Sequence, residues 1–95
     1  MAQTEAQQAG EDHGHQDITV EVFVPSQVEG KTFTWPRNMR VGEAAEQAAA
    51  AFSIQGWTPS LQNEAGKVLD RDKPLVAEGV RDGDKLELVD AGGGV

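Results

Sequence analysis

The residues with the plainest chemical use close the chain, in the run Ala91-Gly92-Gly93-Gly94-Val95. Glycine adds nothing to a core, having no side chain to pack and the most backbone entropy to lose on folding. A glycine run that follows an apolar-alternating segment offers instead an unhindered carboxyl end. Its carbonyl is open to attack by phosphate, thiolate or amine, and its chain can thread a narrow channel in extended form. The chemistry would be acyl transfer through the chain's own terminus. A frayed end is the plain alternative, since termini are commonly disordered.

Other side chains offer less. His13-Gly14-His15 supplies two imidazoles with no third ligand nearby, too few for a zinc or copper site. Asp70 with Asp72, and Asp82 with Asp84, lack the glycine and distal glutamate of a calcium loop and read as turn residues. The absence of cysteine excludes a disulfide framework, a cysteine zinc site and a thiol nucleophile. No acid–base pair, nucleophile with a base, or phosphate loop appears, so neither an enzyme nor a bound cofactor or metal is expected. Sixteen acidic side chains against eight basic ones give a net charge of −8. Phosphate would be repelled, which disfavours nucleic acid as a partner. Neither a membrane-spanning stretch nor a secretory signal is present, and a soluble cytoplasmic monomer is expected.

The elements that would hold such a tail follow from periodicity. Residues 1–16 carry almost no large apolar side chain and read as a disordered arm. A domain is expected over residues 17–90 and a flexible tail over 91–95. Ile18, Val20, Val22 and Val24 alternate with Thr19, Glu21 and Phe23, the pattern of a half-buried strand with Phe23 on its polar side. Pro25 ends it, and a turn through Gly30 leads into Lys31-Thr32-Phe33-Thr34-Trp35, stopped by Pro36, so the pair reads as a hairpin. Val41, Ala44, Ala45, Ala48 and Phe52 recur at helical spacing, with Asn38 as candidate N-cap and Gly56 marking the end region. Gly42 should weaken the first turn. The residues after Trp57 suggest a short third strand weakened by Pro59, a turn over Asn63–Lys67 and a very short strand at Val68-Leu69. Leu75 and Val80 are loop anchors, Arg81–Asp84 is a tight turn, and Lys85–Val89 is a final strand. Trp35 and Trp57 read as core or core-edge anchors. The layout is α+β, a mixed sheet of four to five strands covered by one helix.

From residue 18 onward the chain resembles ubiquitin and its β-grasp relatives. Gly30-Lys31-Thr32-Phe33-Thr34 answers ubiquitin's Gly-Lys-Thr-Ile-Thr in the first hairpin. Ala65-Gly66-Lys67 with Leu69 matches its Ala-Gly-Lys-x-Leu turn. Leu75 matches a loop leucine, and Leu86, Leu88 and Val89 its last strand. Three branches are similar to this chain: ubiquitin-like modifiers of the prokaryotic type, the thiamine and molybdopterin sulfur carriers, and the YukD-like domains of secretion systems. The carriers often hold Asp-Gly-Asp before their glycines, as in Asp82-Gly83-Asp84. The YukD-like domains generally lack terminal glycines and act non-covalently.

The resemblance to modifiers implies a ubiquitin-like β-grasp roll whose C-terminal glycine is adenylated by an activating enzyme using ATP. The glycyl group passes to that enzyme's cysteine, on to a conjugating enzyme, and finally to a target lysine by an isopeptide bond. Here the chain departs from the mature pattern, because Val95 follows Gly94. A β-branched residue at the carboxylate would obstruct channel and carbonyl, so Val95 is expected to be removed by a processing peptidase, of the JAB metalloprotease type or another. Gly94 would then be the conjugating residue, with Gly93 and Gly92 as its tail. Sulfur carriers are usually made with glycine already terminal, so Val95 favours the modifier. Ubiquitin's tail arginines are replaced by Asp90-Ala91-Gly92, which calls for a dedicated activating enzyme. Val28 and Val89 match two positions of ubiquitin's partner patch and, with Phe23, are the candidate partner surface. Lys67 and Lys31 match ubiquitin lysines and are the candidate acceptors.

Overall fold

Alternating valines build the first strand. A computed structural model describes residues 17–92, in which β1 spans Asp17–Phe23 with Ile18, Val20 and Val22 buried. The expected arm, with His13 and His15, and the terminal Gly93, Gly94 and Val95 lie outside the described residues. β2, Lys31–Pro36, runs antiparallel to β1 with Ile18 opposite Trp35 and Val20 opposite Phe33. That register puts both rings on the core face, where they stack with centroids 4.8 Å apart. The indole N–H of buried Trp35 donates to Gln47 Oε1 at 2.9 Å, so the ring's polar edge is not left unpaired.

The remaining strands are short. β3 spans Pro59–Gln62 and β4 Lys85–Asp90, antiparallel to each other, while β4 lies parallel to β1. The sheet has four strands in the order β2-β1-β4-β3. Pro59 does not weaken β3; it is the first residue of an edge strand, where a missing N–H costs no ladder bond. The very short strand expected at Val68-Leu69 is a single bridge between Val68 and Gln62. Leu69 is buried in the core, its N–H donating to Leu61 O at 2.8 Å. Leu75 and Val80 anchor the following loop as expected, around a 3-10 turn over Val76–Glu78.

One helix, α1 (Val41–Ala51), covers the sheet through contacts with β3 and β4. Gly42, Ala44, Ala45, Ala48 and Ala49 are buried, so the helix face is small-residued and sits close to the strands. Its N-cap is Arg40, without a side-chain capping bond, and not Asn38. The first helical N–H groups are taken by a distant loop instead: Val41 donates to Lys73 O and Gly42 to Arg71 O, each at 2.9 Å. Such carbonyls satisfy the orphan donors a capping side chain would otherwise meet. The same loop explains Gly42. A Cβ there would come within 3.0 Å of the Arg71 guanidinium carbon. Arg71 meanwhile donates through Nε to Pro59 O at 2.7 Å and through Nη2 to Glu46 at 2.9 Å.

The helix ends earlier than Gly56. Phe52 is the C-cap, and Ser53 takes the left-handed conformation at φ 62. Ile54 N–H reaches back to Ala49 O at 2.8 Å and Ser53 N–H to Ala50 O at 3.1 Å, the paired bonds of a Schellman motif. Serine carries a Cβ penalty in that conformation that glycine lacks. Ser53→Gly is therefore expected to raise unfolding free energy in urea by about 0.5–1 kcal/mol. A lowered urea midpoint would contradict this account of the cap.

Candidate functional site

The C-terminal tail leaves the body from β4. Ala91 N–H donates to Thr58 O at 2.8 Å, and Gly92 N–H reaches both Thr58 O at 3.3 Å and Asp90 Oδ1 at 3.2 Å. The same carboxylate oxygen accepts from Thr58 N–H at 3.1 Å. The chain therefore remains attached to the body through Gly92, two residues beyond β4. A Cβ on Gly92 would sit 2.5 Å from Thr58 Cβ, a separation real side chains do not adopt. Glycine is required at this position for close packing. That reason differs from the open carbonyl wanted at Gly94.

Gly92→Ala should break this latch while leaving the core intact. Hydrogen bonds of this kind contribute about 1 kcal/mol each, so the Ala91 amide, which donates to Thr58 O, should exchange roughly fivefold faster in the variant. Unchanged exchange at Ala91 would show that the latch does not hold the tail.

The acids upstream of the tail are occupied by the backbone. Asp82 Oδ1 accepts from Thr19 N–H at 2.7 Å, and Asp84 Oδ2 from Arg81 N–H at 2.9 Å. Thr19 O in turn accepts from Gly83 N–H at 2.7 Å, so the turn before β4 is tied to β1. Asp70 Oδ1 accepts from Asp72 N–H at 2.9 Å. Among the described residues no group of three or more His, Cys, Asp or Glu is placed to hold a metal ion, and no helix is long and apolar enough to cross a membrane.

The sequence-derived partner residues lie in the β1–β2 turn and on the outer sheet face. Val28 is 97% exposed in the β1–β2 turn. Phe23 lies half-buried on the outer sheet face, its ring held against Gly30 so closely that a Cβ on Gly30 would meet ring carbons at 2.8 Å. Val89 is half-buried on the same face, paired with Ser60. Glu87 stands opposite Phe23 on one side and Gln62 on the other, which interrupts the apolar surface with polar groups. Both candidate lysines are exposed. Lys67 Nζ is 3.8 Å from Glu78 Oε1, and Lys31 Nζ lies 5.6 Å from the centroid of the Phe52 ring.

Trp57 is a residue that sequence reasoning misplaced. It is 36% exposed and is not among the residues of the core cluster or those packed against it. It follows Gly56 in the loop between α1 and β3 and immediately precedes Thr58, the residue that holds the tail. The signal available in sequence was its place in that loop beside Gly56, outside every apolar repeat.

No protein-family model matches the sequence, and no curated protein is significantly similar to it. Solved structures are similar. A ubiquitin of Caldiarchaeum subterraneum matches with a TM-score of 0.68 at 21% identity, over 78% of this chain and 92% of that one. A chain from a structure concerning molecular mimicry of SUMO in DNA repair gives a TM-score of 0.69 at 22% identity, over 82% of this chain and 96% of that one. Part of protomer 1 of the ESX-3 core complex gives 0.65 at 22% identity, over 83% of this chain but 17% of that one. With four strands in this order, one helix across them and these likenesses, the chain has the ubiquitin-like β-grasp fold.

Proposed function

We propose that this protein is a ubiquitin-like modifier of the prokaryotic type, made as a precursor and trimmed of Val95 so that Gly94 becomes the reactive end. Gly94 is adenylated by an activating enzyme at the expense of ATP, carried as a thioester, and joined to a lysine amine of a target protein. The chain itself is no enzyme and acts in the cytoplasm as a monomer. The observation that carries this reading is the exit of the tail: a ubiquitin-like body whose β4 leads through a packed Gly92 directly into Gly93 and Gly94. The absence of side chains at these two positions leaves the Gly94 carboxylate free to attack the α-phosphorus of ATP, with loss of pyrophosphate, and its carbonyl open to thiolate and then amine.

A sulfur carrier remains the alternative within the same chemistry, but the feature that pointed to it has a structural use. Asp82-Gly83-Asp84 fastens the turn to β1 through the bonds described above. The likeness to part of the ESX-3 core complex favours a second reading, a non-covalent ubiquitin-like module of the YukD-like kind. Intact mass of the chain recovered from its source cells separates the three. Loss of valine together with adducts on other proteins supports the modifier. An oxygen-to-sulfur increase at the trimmed terminus supports the carrier, and an unaltered Val95 supports the module.

A further inference from the structure

We propose that Asp90-Ala91-Gly92 is a strap with an open state that the domain reaches without unfolding, and that the Asp90 carboxylate is its clasp. This goes beyond the use made of the chain's end and applies equally to a modifier, a carrier or a non-covalent module. It starts from the register of the two short strands. Pro59 pairs with Asp90, Ser60 with Val89 and Gln62 with Glu87. One step further Thr58 falls opposite Ala91, and Ala91 N–H donates to Thr58 O at 2.8 Å. A hydrogen-bonded antiparallel pair exchanges two such bonds, so a regular ladder would have Thr58 N–H donating to Ala91 O. Thr58 N–H donates instead to Asp90 Oδ1 at 3.1 Å, and Gly92 N–H reaches the same oxygen at 3.2 Å. One carboxylate oxygen stands in for the Ala91 carbonyl. It ends the ladder and turns the chain so that Gly92 lies on Thr58.

The strap adds nothing to the core. Thr58, Asp90, Ala91 and Gly92 are all exposed, and none belongs to the core cluster. Both bonds to the carboxylate are exposed as well. Solvent-exposed hydrogen bonds without buried apolar contacts mark segments that open locally, at free energies well below that of unfolding. Upstream the situation reverses within two residues, because Leu88 is fully buried and β4 lies there between β1 and β3. Opening therefore stops short of Leu88. A carboxylate is a stronger acceptor than a neutral carbonyl, so the closed state depends on one side chain. Thr58 and Gly92 donate to the same oxygen and are released together when it leaves. Ala91, which lies between Asp90 and Gly92, goes with them.

The test is amide hydrogen exchange followed by NMR on the full-length chain, read as protection factors corrected for the changed neighbour. In Asp90→Ala, protection at Thr58, Ala91 and Gly92 should fall together, each by about fivefold or more. The Glu21 amide in central β1, which donates to Asp84 O at 3.0 Å, serves as the control. Its protection should stay within about twofold of wild type, since the opening is local. Asp90→Asn keeps an acceptor oxygen at the same place and should retain most of the protection at all three amides. Loss at Gly92 alone, with Thr58 and Ala91 still protected, would overturn the clasp, because Thr58 would then have found the Ala91 carbonyl. An equal loss in Asp90→Asn and Asp90→Ala would overturn it too, since an acceptor oxygen would not be what closes the strap. Failure of Asp90→Ala to fold, or an equal loss at Glu21, would show that the strap opens only with the whole domain.

Discussion

Replacing Leu88 by alanine should remove a large part of this domain's stability. Leu88 is fully buried, lies on β4 between β1 and β3, and stands opposite Leu61, itself fully buried. Truncating a leucine in such a place costs the transfer energy of the lost atoms and leaves a cavity, about 3 kcal/mol together. Collapse around the site is restricted, because β4 is hydrogen-bonded to a strand on both sides. A domain of this size holds only about 4–11 kcal/mol in all, from the usual 0.05–0.15 kcal/mol per residue. With a urea slope of about 1 kcal/mol/M, the unfolding midpoint should fall by about 3 M. A shift below about 1 M would mean that Leu88 is not at the centre of the core.

Gly94→Ala should have the opposite profile. The residue lies beyond the latched Gly92, so its substitution should leave the urea midpoint where it was. On the proposed chemistry it should nonetheless cut adduct formation about a hundredfold or more, since misplacing a reacting group by about 1 Å can cost that factor. The added methyl group sits beside the carboxylate that must attack the α-phosphorus of ATP, displacing pyrophosphate, and beside the carbonyl that thiolate and then amine attack, displacing AMP and then the thiolate, so the penalty recurs at every step. Wild-type adduct yield from Gly94→Ala would remove Gly94 as the reactive residue. Together the two substitutions separate the roles of body and tail: one unfolds the domain, the other silences a folded one.

Side chains that repeat at a fixed period were readable without the fold. The alternation Ile18, Val20, Val22, Val24 gave β1 and its buried face. The stripe Val41, Ala44, Ala45, Ala48, Phe52 gave α1, and the alternation through Phe33 and Trp35 gave the second strand of the hairpin. Features governed by partners distant in sequence were not readable. Asn38 is a plausible cap by type, but the carbonyls of Lys73 and Arg71 already take the N–H groups it would have met. Ser53 adopts a conformation usually held by glycine, which drew the expected helix end on to Gly56. Gly42 looked like a weakness of the helix and is the space that Arg71 fills.

The tail shows the same division. The glycine run was conspicuous in sequence, yet its three members differ in use. Gly92 is packed on Thr58, thirty-four positions away, and nothing local in the sequence announces that contact.

The most direct measurement is peptide mass spectrometry of adducts isolated through an N-terminal tag on the chain in its source cells. Lys85 is the last basic residue of the sequence, so trypsin would leave a defined branch on any modified lysine. The modifier reading predicts target lysines carrying Leu86–Gly94 in isopeptide linkage, with Val95 absent. Recovery of the chain solely with Val95 in place, and with no branched peptide at any lysine, would contradict it.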